Sequence, residues 1–548
     1  MFGGPGKAPD NESTLIREIP AQFTAGACKS LGAIPYVPFS ALHPIVTLST
    51  RRHFIKRTAA LTGSLGCAAT CGWPLAAGEK QVGSDALERL RTKLKGRLIL
   101  QRDSAYEGAR RVFYWNPRTE RIPAAIVRCG HEEDVARAVE FARHHELEVA
   151  VRAGGHSHLA WGSFNGLVID LSPLKQISID ADRRVVRAQA GVLGGEVARA
   201  AGRHGLVPVL GQCPGVGATG LTLGGGLGWL SGLFGASCDN LLSACLVTAD
   251  ARTLDVNGET DPELFWALRG AGANFGVTTS FEAKLHPIGP VVAGDIHYAV
   301  RDARAVLRGF RELMHGAPDG FQATLNLTPG ERGVFLNLCH AGAEKEAERI
   351  LRTLRSIAPP TKEVVQRQPF ATLAEKAAAT NPGNAAPPAF RAIQTVYRDR
   401  VTDEIIDIIV DQLAHASPDT IMGLSHYMHG EVCRVEPDAT AFPLRQAHSV
   451  HLRVAYNWND PRTSEERLAW GDEWLRLLRP PSDERIYANY QTYETKAGSP
   501  SVFGPNHRRL LTLKNRYDST NFFRRNANIA PPNSPEPSGT KPTSGAAR

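Results

Sequence analysis

Nowhere in the 548 residues do about eighteen apolar residues stand in succession, the length a helix needs to cross a bilayer, so no membrane span is expected. The chain also lacks Lys/Arg runs interleaved with aromatics. Its formal charge of +8 is scattered, which describes a solvated basic surface and argues against a nucleic-acid groove. No Cys-x-x-Cys or Cys/His spacing suits zinc, and no metal site is expected. Internal repeats are missing too, which excludes a solenoid. With 42% hydrophobic and 22% charged residues, the composition excludes a disordered or fibrous chain. What is left is a globular chain long enough for two or three domains and a large core.

Residues 1–48 are rich in Pro, Gly and Ala without periodicity and read as a disordered extension or a misassigned start. Ser49-Thr50-Arg51-Arg52-His53-Phe54-Ile55-Lys56 then leads into a mildly apolar run from Thr58 to Leu75 and the small pair Ala76-Ala77. Paired arginines, a nearby hydrophobe, a Lys and a weak apolar stretch resemble a twin-arginine export signal over residues 49–78; an ordinary basic loop is the alternative. The resemblance implies the twin-arginine machinery as a partner and a periplasmic or extracellular destination. Such export carries proteins already folded, which suits a chain that must first attach a cofactor. Of nine cysteines, six follow the signal. If one is spent on a cofactor, the other five cannot all pair, and most are expected to be small buried hydrophobes.

Beyond the signal, periodicity predicts a helix over 85–95, a strand over 123–128, an amphipathic helix over 131–145 and a strand over 148–152 that enters a Gly turn. Strands at 166–171 and 184–191 and a helix over 193–204 follow. Glycine density peaks between 211 and 235, and the α+β pattern resumes at 274–279 and 281–285. After Pro287 and Pro290 the composition changes. Residues 291–484 read as a second domain, with a strand at 321–327 and charged helices at 344–357 and 403–414. Residues 485–530, rich in aromatics and Arg, are expected to return to the first domain over 79–290, and 531–548 to form a disordered tail.

Two segments carry the chemistry. Arg152-Ala153-Gly154-Gly155-His156-Ser157-His158 places an imidazole directly after a Gly-Gly turn at a strand end. Gly211-Gln212-Cys213-Pro214-Gly215-Val216-Gly217 places a thiol in a loop and not on an apolar face. Glycines allow close approach to a flat, phosphate-bearing ligand, and their N–H groups can turn toward a pyrophosphate. Together the nucleophiles suggest a double covalent tether for a flavin. Gly215-Val216-Gly217-Ala218-Thr219-Gly220 also matches G-x-G-x-x-G, with Asp239 at a tempting distance, which would suit an NAD-dependent dehydrogenase. The continuation Leu221-Thr222-Leu223-Gly224-Gly225-Gly226-Leu227-Gly228 argues against it, because each glycine costs roughly 1 kcal/mol in the helix that motif requires.

The chain resembles the berberine bridge enzyme-like flavoproteins of the vanillyl-alcohol oxidase superfamily. The likeness is carried by residues 152–158 and 211–228, Cys238-Asp239-Asn240, residues 261–270, Asn274-Phe275-Gly276-Val277, Phe503-Gly504-Pro505-Asn506 with Arg509-Leu510, and Lys514. It implies an α+β fold: a two-subdomain PCMH-type FAD-binding domain with its core at about 119–288, a substrate domain with an antiparallel sheet, and a C-terminal segment returning to the FAD domain. By the same resemblance His156 carries an 8α-histidyl bond and Cys213 a 6-S-cysteinyl bond to FAD. Residues Arg152 to His158 wrap the pyrophosphate, and Gly217, Gly220, Gly225, Gly228, Gly276, Val277 and Asn489 lie at the cofactor. Val216, three residues after the tethering Cys, goes with oxygen access in that family. Tyr487-Ala488-Asn489-Tyr490 matches its Tyr-x-Asn-Tyr strand and offers Tyr490, or else Tyr487, as the base. A phenol with a reference pKa of about 10 needs an electropositive site or a proton-accepting partner for that task.

Departures are Asp518-Ser519-Thr520-Asn521 for Asp-Pro-x-Asn, Ala251 where glycine is usual, and Ala271 and Ala273 after Arg269. Residues 438–445 resemble a substrate-side element. The implied activity is oxidation of an alcohol or amine C–H, with hydride passing to the flavin and molecular oxygen as acceptor, on a sugar, oligosaccharide or secondary metabolite. A flavin- or ligand-binding protein without turnover and an FAD dehydrogenase with another acceptor are the alternatives.

Overall fold

The computed structural model describes residues 82–373, 388–479, 485–495 and 497–532. The extension, the export signal and all but the first two residues of the tail lie outside these. Among the described residues no helix is long and apolar enough to cross a membrane.

Three sheets follow one another along the chain. In the first, β1 (Arg97–Leu100), β2 (Ala125–Arg128), β3 (Val149–Arg152) and β4 (Leu167–Asp170) stand in the order β1-β2-β4-β3, parallel except for β1. The helix Glu132–His144 crosses from β2 to β3. It buries Val135, Ala138, Val139 and Ala142, one stripe at helical spacing, and its acidic first turn and Arg143 near the end complement the helix dipole. Asp134 on it is wholly buried and accepts the backbone N–H groups of Lys95, Gly96 and Gly130 at 2.8–2.9 Å, pinning the loops at the sheet's edge. β3 delivers the segment 153–158 at the carboxyl end of a parallel sheet, where ligand loops gather.

The second sheet contains β5 (Ile177–Asp180), β6 (Val185–Gln189), β7 (Leu206–Pro208), β8 (Leu241–Val247), β9 (Thr253–Asn257) and β10 (Val277–Pro287). Its order is β5-β6-β10-β8-β9, with β7 also on β10, antiparallel throughout. The two stretches expected at 274–279 and 281–285 form the single strand β10.

In the third sheet β11 (Val291–Tyr298), β12 (Phe321–Leu327), β13 (Val334–His340), β14 (Lys362–Gln368), β15 (Phe390–Arg398), β16 (Thr420–Ser425) and β17 (Val450–Trp458) run antiparallel in the order β14-β11-β13-β12-β16-β17-β15. Helices Ala303–His315, Glu344–Ile357, Asp403–Ala414 and Ser464–Leu478 cover one face. Phe310, Leu354, Ile409 and Trp474 from them share a core with Leu325, Leu336, Leu424 and Leu452. Burying each such side chain stabilises by roughly 1.5–3 kcal/mol. All of β12 is buried, yet it alternates Phe-Gln-Ala-Thr-Leu-Asn-Leu. Its apolar residues enter that core, so Gln322, Thr324 and Asn326 point to the opposite face.

After the third sheet the chain returns to the second: Val502, Phe503, Leu510, Leu513 and Ile529 join its core. The helix His507–Tyr517 is clamped there by Lys514, wholly buried, whose Nζ donates to Asp518 at 2.7 Å and to the carbonyls of Asn274 and Phe523 at 2.8 and 2.9 Å. Removing one partner of such a buried pair costs far more than the pair contributes. The departure at Ser519-Thr520 is harmless because both are exposed.

Ala251 is not so neutral. It sits in the β8–β9 turn at φ +63°, a left-handed conformation that costs an L-residue with a Cβ roughly 1–2 kcal/mol. Ala251→Gly is therefore expected to raise the unfolding free energy by about 1 kcal/mol after the entropy glycine adds to the unfolded chain. Denaturant melts of the two proteins check this.

Candidate active site

The end of β3 with the loop after it, the Gly-rich segment between β7 and β8, and the polar face of the third sheet line a cavity of about 930 Å³, toward the upper end for small-molecule sites. Arg152, Ala153, Gly154, Gly155, His156, Ser157 and His158 all border it, as do Cys213, Val216, Gly217 and Gly220. Two loops from different sheets meet here with no room between them. A Cβ on Gly154 would lie 2.3 Å from the Gly217 nitrogen, and one on Gly217 would lie 2.6 Å from the Gly154 nitrogen. Gly155 turns the chain at φ +66°. The Cys213 loop is laced to the start of the helix Gly194–Gly202, whose Gly194 and Gly195 N–H groups donate to the carbonyls of Val216 and Pro214 at 2.9 and 3.0 Å.

Within this frame the His156 ring stacks on Phe113 with centroids 4.0 Å apart. Burial pulls its pKa down to about 4, so it is a neutral imidazole near pH 7. Its Nδ1 lies 3.4 Å from the Gly154 carbonyl, and its Nε2 is buried with no partner among the described residues. Cys213 opens on the cavity, yet the protein around it pushes its thiol pKa up against the Gly215 and Val216 N–H groups. Cys129, Cys238, Cys245, Cys339 and Cys433 are free thiols as well, three of them buried.

Four residues expected at the cofactor do not border the cavity: Gly225, Gly228, Gly276 and Val277. Their lack of a side chain, or their burial, serves packing. A Cβ on Gly225 would strike the Phe442 ring at 2.7 Å, one on Gly228 the Leu210 carbonyl at 1.8 Å, and one on Gly276 the Val247 carbonyl at 2.6 Å. Val277 is wholly buried as the first residue of β10. Arg152 borders the cavity, but its guanidinium donates to the buried Asp170 at 2.9 Å. The G-x-G-x-x-G segment enters a helix of six residues, Ala218–Leu223, that stops at Gly224. The nearest strand before it, β7, lies in an antiparallel sheet. A dinucleotide fold of the NAD type needs a parallel strand and a long helix at that point.

The segment expected as a Tyr-x-Asn-Tyr strand is a turn of 3₁₀-helix, Ala488–Tyr490. A strand would send Tyr487 and Tyr490 to opposite faces, whereas the three-residue turn stacks them on one side with ring centroids 5.3 Å apart. Their environments differ. The Tyr487 hydroxyl accepts from the Gly226 N–H at 2.8 Å and from Asn489 Nδ2 at 2.9 Å; Asn489 also donates to the Leu221 carbonyl at 2.8 Å. These bonds brace the Gly-rich loop. The Tyr490 hydroxyl instead meets Nε2 of His426 at 2.6 Å. Burial pushes the Tyr490 phenol up to about 12, with Arg453 and the Ser425 hydroxyl pulling against it. Burial pulls His426 down to about 3, and Arg453 adds to that. His426 holds the left-handed conformation at φ +50°, a strain characteristic of functional positions. His158 and His451 complete a neutral cluster around Tyr490, with burial pulling His158 down to about 3 and His451 well below its usual range.

Sequence reasoning missed His426, His451, Arg453 and the polar row on β11, β12 and β13. The signal was the alternation of Gln322, Thr324 and Asn326 along a strand otherwise fit for a core.

The residues present fit a large flat cofactor. The floor is bare backbone where the two loops touch, nothing lies within 4 Å of a Cβ built on Gly220, and the unpartnered, buried Nε2 of His156 belongs to a ring on the same cavity's wall. Comparison with known proteins agrees. Residues 123–257 match the model of an FAD binding domain, and residues 486–530 match that of the berberine and berberine-like family. The FAD-linked oxidoreductase YgaK of Bacillus subtilis is 30% identical over 448 residues, 80% of this chain and 98% of that protein. (R)-6-hydroxynicotine oxidase of Paenarthrobacter nicotinovorans is 34% identical over 271 residues, 48% of this chain and 59% of the relative. The solved structure of 6-hydroxy-D-nicotine oxidase from Arthrobacter nicotinovorans superposes with a TM-score of 0.71 at 26% identity, covering 80% of this chain and 98% of that one. Xylooligosaccharide oxidase from Myceliophthora thermophila superposes with a TM-score of 0.72 at 20% identity over 81% and 99% of the two chains, a likeness of fold.

Proposed function

Because the chain belongs to the berberine and berberine-like family of FAD-linked oxidoreductases, we propose that it is an oxidase acting on an alcohol or amine C–H, with Tyr490 and His426 as its proton relay. The observation that carries this reading is the 2.6 Å contact between the Tyr490 hydroxyl and Nε2 of His426 inside the cofactor cavity. When bound, FAD would supply the hydride acceptor and a route for the electron pair to molecular oxygen, giving hydrogen peroxide.

The protein's own part is proton handling and exclusion of water. At neutral pH Tyr490 is a phenol and His426 a neutral base. The phenol oxygen takes the proton of the substrate hydroxyl or amine while its own proton moves to His426 Nε2. Neither group needs to ionise beforehand; the step leaves the proton, and a positive charge, on His426, which is offset because the electron pair leaves the substrate with the hydride as the proton moves. Tyr487 holds the Gly226 N–H and Asn489 and serves as a positioning residue. His156, neutral and nucleophilic, and Cys213, open to the cavity, are proposed to attach FAD covalently, and Val216 on the cavity wall to leave oxygen a path. The naming of a nicotine derivative for one relative and of oligosaccharides for structural neighbours supports the substrate range, a cyclic amine, a sugar or a secondary metabolite. Export through the twin-arginine route is proposed on Arg51 and Arg52, which lie outside the described residues.

Tyr490→Phe is expected to lower kcat by about 10²–10⁴-fold, the usual worth of a positioned acid or base, and His426→Asn to lower it by at least about tenfold. Because Tyr490 stays protonated until pH nears 12 and His426 stays neutral until pH nears 3, neither titrates between them. Parental kcat/KM should accordingly be flat from about pH 5 to 9; a steady rise with pH would show that the free phenolate is the active base and overturn the relay. Denatured parental protein should keep its yellow colour, with peptide masses placing flavin on residues 156 and 213. Fully extractable flavin would refute the tethers. Replacing Arg51 and Arg52 with Lys should retain the protein in the cytoplasm; unchanged secretion would end the export reading.

A further inference from the structure

Arg453 projects from β17 at the end of the cavity that holds Tyr490. Register explains its reach. Asn326 on β12, Gly423 on β16 and Arg453 on β17 stand opposite one another in a single row across the sheet. With only a hydrogen at Gly423, the Arg453 side chain crosses β16 and donates from Nη2 to Asn326 Oδ1 at 2.7 Å. Asn326 Nδ2 then donates to Asn337 Oδ1 at 2.9 Å, and Asn337 Nδ2 to Asp295 Oδ1 at 2.5 Å. The two charged ends dictate the orientation of both amides: oxygen must face the guanidinium and nitrogen must face the carboxylate.

The chain of amides is held rigidly, but it does not neutralise Arg453. Three strands, β16, β12 and β13, separate it from Asp295 on β11, and among the described residues no carboxylate lies within ion-pair distance. One amide oxygen is its only hydrogen-bond partner among them. A half-buried guanidinium thus faces the cavity with donors to spare, while its field acts on Tyr490, Tyr114, Cys213, His158 and His426. Beside it, Gln212 is fixed by a bond from Thr324 Oγ1 at 2.8 Å, and its Nε2 is buried without a partner. All of these residues line the cavity. Donors arranged in this way suit an anion with planar acceptors. A neutral hydroxyl would leave the cation uncompensated, whereas a carboxylate matches the guanidinium fork with two parallel bonds.

We propose that Arg453 is a specificity-determining anchor for a carboxylate on the substrate, so that the oxidised alcohol or amine is borne by an organic acid. The proposal rests on the oxidase reading for the placement of the reacting carbon near Tyr490. It assigns to the Asn326-Asn337-Asp295 chain the role of fixing the guanidinium in place.

The test titrates flavin-loaded protein with two matched pairs, benzoate against benzamide and D-glucuronate against its methyl ester, followed by calorimetry and by the change in flavin absorbance. Each acid is expected to bind at least about tenfold tighter than its neutral partner, as a charge-assisted pair implies. Arg453→Gln should bring that ratio to about one, and Arg453→Lys should keep part of it, with melting temperature and bound flavin at the parental level confirming that both fold. Equal binding of acid and neutral partner by the parent, or a preference that survives Arg453→Gln, overturns the proposal. So does tight binding of 4-cyanophenolate with none of benzoate. If Tyr490→Phe leaves turnover intact while acids still bind through Arg453, it is the oxidase mechanism that fails and the anchor that stands.

Discussion

The active site depends on one steric fact, the contact of bare backbone between Gly154 and Gly217. A methyl group at either position would overlap the other loop's nitrogen or Cα, at 2.3–2.9 Å. Only because both lack a side chain can the loop after β3 of the first sheet rest on the loop that leads into the helix Ala218–Leu223. That contact puts His156 and Cys213 on the wall of one cavity although they belong to different sheets. It also makes the cavity floor a surface of peptide planes, the kind against which an isoalloxazine and a pyrophosphate lie closely. Other glycines of the same run serve the protein itself. Gly225 admits Phe442, Gly228 the Leu210 carbonyl, and Gly224 Asn489.

The third sheet solves a complementary problem. A strand buried on both faces is expected to be apolar throughout, yet β12 is half polar. Its apolar half faces helices and supplies the core; of its polar half, Thr324 and Asn326 border the cavity and bond to Gln212 of the Cys213 loop and to Asn337 on β13, while Gln322 bonds to the Tyr427 carbonyl. The partition lets one sheet stabilise the domain on one side and present polar groups on the other, where some buried atoms, such as Gln212 Nε2 and both nitrogens of His451, have no partner among the described residues.

The electrostatics follow from dryness. His158, His426 and His451 are held neutral and Tyr490 protonated by burial, so this end of the cavity contains weak bases and weak acids in contact, with the Arg453 guanidinium close enough to act on them. In such a medium a fixed charge acts over several ångströms with little screening. The Arg453 guanidinium, with no carboxylate within ion-pair distance among the described residues, therefore acts on its neighbours with little attenuation.

Much of this was legible in the residues alone. The order of strands and helices, the change of composition near Pro290, the return of the C-terminal segment and the two glycine loops are local patterns, because turns, periodicity and conformational freedom are properties of neighbouring residues. The resemblance of those loops to a flavoprotein family named the cofactor. What the residues could not disclose is set by contacts between distant parts of the chain. Tyr487 and Tyr490 share a side only because the segment closes into a 3₁₀ turn; His426 meets Tyr490 from 64 residues away, and Arg453 meets Asn326 from 127. Which glycine touches a ligand and which merely makes room for Phe442 was likewise indistinguishable in sequence. Sequence determined that a flavin site exists and where its loops lie; the packing of the third sheet against those loops decided that His426 meets the Tyr490 phenol and that Arg453 reaches across β16 to the cavity, because strand register and cavity shape arise only when the sheets are brought together.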